Sequence, residues 1–220
     1  MINIKTVRGK LPWSSKQEWI FPASDTRSCK SFTHGPVDLD TAIPMLLPHL
    51  KGRRTCIQAG GCLGIWPLRL SQLFERVITF EPEPTNYYCL KMNTAHLNNV
   101  ETHNAALGQM PGGSVHMALT DIGNSGAHYA LPGGDIPVVC IDDLGLDDVD
   151  LIYLDVEGYE SQALRGATKT IKRCNPVIGV EDKRLHETHK SISGAQLLVD
   201  EFEYKSIGRP FTLDEIFIPC

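Results

Sequence analysis

The stretch TCIQAGGCLGIWPLRL, Thr55 to Leu70, restricts the fold more than any other part of the chain. A short apolar run, TCIQA, opens into glycines at 60, 61 and 64 and then into an apolar segment of helical character. This is the shape of a strand turning into a helix, with bare main-chain N–H groups and a helix start able to approach a ligand. Ala59, Gly61 and Gly64 also fit the G-x-G-x-x-G/A spacing of dinucleotide turns, with alanine in first place. Taken alone, the turn suits a nucleotide-type cofactor or no ligand at all.

Downstream the pattern alternates. Strands are expected at VITFE, VETHNAAL, DLIYLDV, PVIGVE, YKSIG and EIFIP, with helices through WPLRLSQLF, TNYYCLKMNTAHLNN, ESQALRGATKTIKR and SGAQLLVDEF. Alternation of this kind predicts an α/β fold: a Rossmann-like sheet, mainly parallel, with helices on both faces. Residues 108–144 interrupt it, because GGSVHMALT and IPVVCIDDL are strand-like runs joined by glycine-rich turns; they predict an inserted β-hairpin on one edge. Before the alternation, prolines at 12, 22, 36, 44 and 48 chop the chain, and only DLDTAIPMLLPHL hints at helix. Residues 1–50 therefore read as an irregular N-terminal cap and 51–220 as one domain. At 220 residues and 42% hydrophobic content, the chain can bury one sizeable core.

Charge and cysteines narrow the class. Twenty-one Lys and Arg against 26 Asp and Glu give a net charge of -5, no global basic field for nucleic acid or an anionic membrane. Seven cysteines without a C-x-x-C pair fit reduced thiols better than a disulfide framework or a zinc site. No apolar run approaches a membrane span, and the N-terminus has no signal-peptide core, so the expected compartment is the cytoplasm.

Glu81 sharpens the ligand. In a doubly wound sheet the end of the second strand lies beside the glycine turn, and a carboxylate there can accept two hydrogen bonds from a ribose diol. Asn104, Ala105 and Ala106, at the end of the third strand, reach the same crevice; the alanines leave room for a flat base and equally suit helix–sheet packing. An adenosine-bearing ligand follows, and NAD and S-adenosylmethionine share this much.

The run LDVEGYE followed by ALRGA, with FEPEPTNYYCLKMN, NAALG, GNSG, IDDL and a closing EIFIP, resembles the FkbM family of S-adenosylmethionine-dependent methyltransferases, in order from about Cys56 to the C-terminus. The family's glycine motif resembles DVGANIG, whereas this chain carries QAGGCLG, with Gln58 for the acid and Cys62 for the asparagine. The resemblance implies a class I methyltransferase fold whose seven-stranded mixed sheet has an antiparallel last strand. It implies S-adenosylmethionine as cofactor and a hydroxyl acceptor on a sugar, glycan or other small molecule. It also places Gly60, Gly61 and Gly64 at the methionine end, with Gln58 beside them, Glu81 at the ribose, Asn104 to Ala106 at the adenine and Asp155 beside the transferable methyl.

Methylating an alcohol is helped by a base. Asp155 is the first candidate, as base, metal ligand or cofactor contact, with Glu157 read as an N-cap of the next helix. Glu181 ends PVIGVE and, with His186 in EDKRLHETH, could reach the acceptor; HETH without further ligands does not make a metal site. In TDIGNSGAH, Asn124 and Ser125 would donate hydrogen bonds from a loop closing over cofactor or acceptor. Trp13, Trp19, Phe21 and His34 could wall the acceptor pocket or pin the cap to the core. Two other readings remain: a nicotinamide oxidoreductase, or a non-catalytic interaction module on the same fold, which Gln58 alone favours.

Overall fold

The computed structural model describes residues 2–11, 13–28, 37–182, 193–210 and 213–220. Its centre is a seven-stranded sheet built from β3 (Thr55–Ala59), β4 (Arg76–Phe80), β5 (Val100–His103), β10 (Val149–Leu154), β11 (Val177–Glu181), β12 (Tyr204–Gly208) and β13 (Asp214–Pro219). The strand order is β12-β13-β11-β10-β3-β4-β5. The five strands from β11 to β5 run parallel, and β13 runs antiparallel to both neighbours, as expected of the last strand. The chain leaves β3 toward β4 and β5, then returns to its other side as β10 and β11, which puts a topological switch point between β3 and β10.

Strands β3, β10 and β11 are buried along their whole length. Both faces are covered, so they read as unbroken apolar runs rather than alternating ones. One face packs Ile57, Phe80, Ile152 and Leu154 against Ala163 and Leu164 of α4 (Glu160–Arg165), Ile171 of α5 (Thr168–Cys174) and Leu197 and Leu198 of α6 (Gly194–Phe202). The other packs Cys56, Val77, Leu151 and Tyr153 against Leu46 of α1 (Val37–Leu46), Leu70 of α2 (Ile65–Ser71) and Phe74. Helix α3 (Pro84–Thr94) starts after a cap in which the Glu83 carboxylate accepts from the Asn86 N–H.

Four local expectations change. The helix expected through ESQALRGATKTIKR is two helices, broken at Gly166, whose missing side chain lets the main chain of Gly108 pass; a Cβ there would lie 2.0 Å from the Gly108 carbonyl oxygen. The side chain of Asp142 then caps α5 by accepting from Lys169 and Thr170 N–H, so IDDL is a 3-10 turn rather than the end of a strand. The insertion is more than a hairpin on an edge. Strands β7 (Ser114–Leu119) and β8 (His128–Pro132) form the hairpin, with TDIGNSGAH as its own connecting loop. With β9 (Ile136–Val139) and β6 (Ala106–Leu107) they make a separate four-stranded sheet of order β6-β9-β7-β8. Finally, the cap is not wholly irregular: β1 (Ile4–Arg8) and β2 (Glu18–Pro22) pair antiparallel, with Pro22 in the last pair of the ladder, opposite Ile4.

No helix among the described residues is long and apolar enough to cross a membrane.

Candidate active site

The carboxyl ends of β3, β4 and β10 meet under the small sheet and enclose a cleft with about 590 Å³ of free space, its open mouth included. Its walls are mostly apolar: Phe80, Pro82, Ala105, Ala106, Leu107 and Met117 are among them. The polar groups are few, and three of them are acids. Glu81, Asp155 and Glu157 line the cleft with Ser125, Asn86 and His128, and no Lys or Arg is among the described lining residues.

Main-chain geometry shapes the floor. Gly60 adopts φ +81°, and a Cβ there would stand 1.8 Å from the Asp155 carbonyl oxygen, so only glycine lets β3 and β10 come this close. Cys62, with φ +43°, turns its N–H onto Glu81 Oε2 at 2.8 Å, while the Glu83 N–H reaches Oε1 at 2.9 Å. A carboxylate offers about four acceptor positions, so two remain for a ligand. Burial pushes the Glu81 carboxyl up to about 7, against the pull of those two main-chain donors. Burial likewise drives the Cys62 thiol well above its usual range, so it stays protonated and poorly nucleophilic.

Gln58 lies below the floor. Fully buried, it donates from Nε2 to the carbonyl oxygens of Ala59 and Gly60, both at 3.0 Å, and accepts from Thr79 Oγ1 at 2.5 Å. It braces the turn from beneath and does not line the cleft. Gly61 and Gly64 are packing positions where a Cβ would crowd Leu90 and either Thr79 or Thr94. Asn104 donates to the carbonyl oxygens of Glu81 and Pro82, both at 2.9 Å, and so holds the loop behind the acid. Asn124 accepts from the Gly126 N–H within its own loop. Of the residues singled out in the sequence, Gly60, Glu81, Ala105, Ala106, Ser125 and Asp155 come together around the cleft; Gln58, Gly61, Gly64, Asn104 and Asn124 support it from outside.

Carboxylate oxygens of Asp155, Glu157 and Glu181 lie within 4.8 Å of one another. This trio is where a proton could be taken up or a hard cation held. The N-cap position of α4 is taken by Tyr159 rather than Glu157, and the Val156 and Gly158 N–H groups donate to Glu160 Oε1. His186 and the rest of HETH lie outside the described residues, as does His34. Trp19 and Phe21 are fully buried against Leu63, Leu68 and Cys89, with Trp13 packed beside them, so they pin the cap to the core.

Residues 72–204 match a family model described as the methyltransferase FkbM domain. The chain belongs to the FkbM methyltransferase family. Among solved structures, an FkbM methyltransferase from Methylobacillus flagellatus KT is 17% identical over 88% of this chain and 54% of its own, with a TM-score of 0.48. This FkbM chain thus spans about half the length of that protein. A putative methyltransferase from Streptococcus mutans, solved in complex with SAH, is 11% identical over 84% of this chain and 98% of its own, with a TM-score of 0.52. The fold is that of class I methyltransferases. No curated protein sequence matches the chain.

Asn86, Met117, His128 and Tyr159 line the cleft of this FkbM chain as well. Asn86 carried a usable signal, lying within EPEPTN one turn into the helix after the acid. Met117 and His128 face the cleft because the small sheet folds over it, and Tyr159 stands at the N-cap of α4.

Proposed function

We propose that this chain is an S-adenosylmethionine-dependent methyltransferase acting on a hydroxyl of a sugar, glycan or other small molecule, with residues 1–50 capping a catalytic domain over 51–220. The charge of the cleft carries this reading. An apolar crevice with Glu81 at its base, Asp155 and Glu157 on its wall and no Lys or Arg among its described lining residues suits a cationic adenosine ligand. The same acids would repel the pyrophosphate of a nicotinamide dinucleotide. The braced turn also speaks against a decayed, non-binding module, since Gln58 satisfies the carbonyls that an acid at that position would repel. When bound, the cofactor supplies a methyl group made electrophilic by a sulfonium cation.

The chain's own groups do the rest. Glu81 accepts hydrogen bonds from the ribose through its two remaining acceptor positions. Pro82, Ala105 and Ala106 flank the base and exclude water. Asp155 takes the proton of the acceptor hydroxyl, with Glu181 close enough to share the load. Six free thiols among the described residues support a reducing compartment such as the cytoplasm.

Calorimetry tests the reading. S-adenosylhomocysteine is expected to bind while NADH does not, and Glu81→Ala is expected to weaken the first about 100-fold. No binding at millimolar S-adenosylhomocysteine would sink it. Methyl-label transfer to sugars, glycans and phenols then identifies the acceptor, and Asp155→Asn is expected to lower kcat about 10²–10⁴-fold.

A further inference from the structure

The hairpin loop that carries Ser125 is gripped from two sides. From the N-terminal segment, the fully buried Asp25 accepts from the Ser125 N–H at 3.0 Å and from its hydroxyl through the same Oδ2. The next two residues, Thr26 and Arg27, both donate main-chain N–H bonds of 2.9 Å to the Gly123 carbonyl oxygen. At the surface, the Arg27 guanidinium pairs with Asp121 at 2.8 Å. From α3, the Asn86 amide donates 2.8 Å to the Ser125 carbonyl oxygen.

That last bond has a consequence for the cleft. The Ser125 carbonyl can only accept, so it fixes which end of the Asn86 amide is which. Oδ1 is left without a partner among the described residues, on a side chain 2% exposed that lines the cleft. A buried acceptor with no donor costs free energy unless a ligand supplies one. Burying a carboxylate is also costly, and for packing alone an apolar residue at position 25 would serve. Its two bonds to Ser125 instead select one conformation of the loop.

We propose that Asp25 is a positioning residue for the bound nucleoside: through Ser125 it holds the Asn86 amide so that Oδ1 accepts an N–H or O–H of that nucleoside. The N-terminal segment, which lies before the family-matched residues 72–204, thereby completes the site. This rests on the cofactor reading above.

The test is a double-mutant cycle read as the Kd of S-adenosylhomocysteine. Asp25→Ala and Asn86→Ala are each expected to weaken binding about tenfold, and the double variant no further, because one acts through the other. Asp25→Asn still accepts from Ser125 and is expected to stay within about threefold of wild type. Faster amide exchange in 121–128 of Asp25→Ala, with the central sheet unchanged, separates a freed loop from general unfolding. If Asp25→Ala does not fold, the exposed pair replaces it: Arg27→Glu is expected to weaken binding and Arg27→Glu with Asp121→Arg to restore it. Wild-type binding with an unchanged Kd in Asp25→Ala or, failing that variant, in Arg27→Glu overturns the inference alone, as does a double variant whose losses multiply. Absence of any binding by wild type overturns the cofactor reading and this inference with it.

Discussion

Glu81 is poised to couple ligand binding to protons. Its carboxyl titrates near 7 because burial outweighs the two main-chain donors, and ribose hydroxyls would add donors that favour the ionised form. Binding must then expel a proton below that pH. The affinity for S-adenosylhomocysteine is therefore expected to fall toward about tenfold per pH unit below about 7 and to level off above it. Calorimetry from pH 5 to 8 in buffers of different ionisation enthalpy reads both the slope and the released proton. Gln58 offers a second test. The departure from DVGANIG makes Gln58→Asp look like a restoration. In the structure the amide donates to two carbonyl oxygens, and a carboxylate among them is both donorless and repelled. Gln58→Asp is expected to cost about 2–4 kcal/mol of stability in urea unfolding without tightening cofactor binding. The residue was conspicuous in the sequence because it broke a pattern; its direction was not, because a side chain in a fully buried strand can face either layer.

At the scale of elements, the cap and the small sheet matter most. Strand β2 is held to α3 by Asn93, fully buried, which accepts from the Ile20 N–H at 2.8 Å and donates to the Ile20 and Leu63 carbonyl oxygens, both at 2.9 Å. Leu11, Trp19 and Phe21 bury their whole surface in the same place. Asn93→Ala strands these main-chain groups and is expected to cost about 2–4 kcal/mol, seen as a lower thermal midpoint and faster proteolysis within residues 1–28. The central strands and most helices were legible from apolar runs and glycine punctuation. Strand β8 was not, because HYALP mixes polar and apolar residues without clear alternation. Nor was the pairing of β1 with β2, whose ladder leaves only a short and irregular pattern. The break between α4 and α5 escaped notice because ALRGATKT keeps helical spacing across Gly166; the close pass of Gly108 decides it.

For the molecule as a whole, two buried carboxyls set a pH trend. Glu160, like Glu81, is pushed up to about 7 by burial, despite the main-chain donors at its side chain. Both titrate near 4.5 when unfolded, so the folded state holds extra protons between those values. The stability they contribute is complete below about 4.5 and is lost as pH rises through about 7. The ligand-free protein is expected to lose about 1 kcal/mol per group between pH 6 and 8, with Glu160→Gln flattening the slope of urea midpoints. Sequence alone determined the order of the central strands and of most helices, the glycine turn, the acid at the end of β4 and the family, because period, turn chemistry and motif are local and survive in the linear text. Only the tertiary structure decided that Asp155, Glu157 and Glu181 converge, that the Gln58 amide turns onto the Ala59 and Gly60 carbonyls, and that Asp25 meets Ser125. Those contacts join segments up to 100 residues apart, and packing across such distances leaves no periodic trace in the chain.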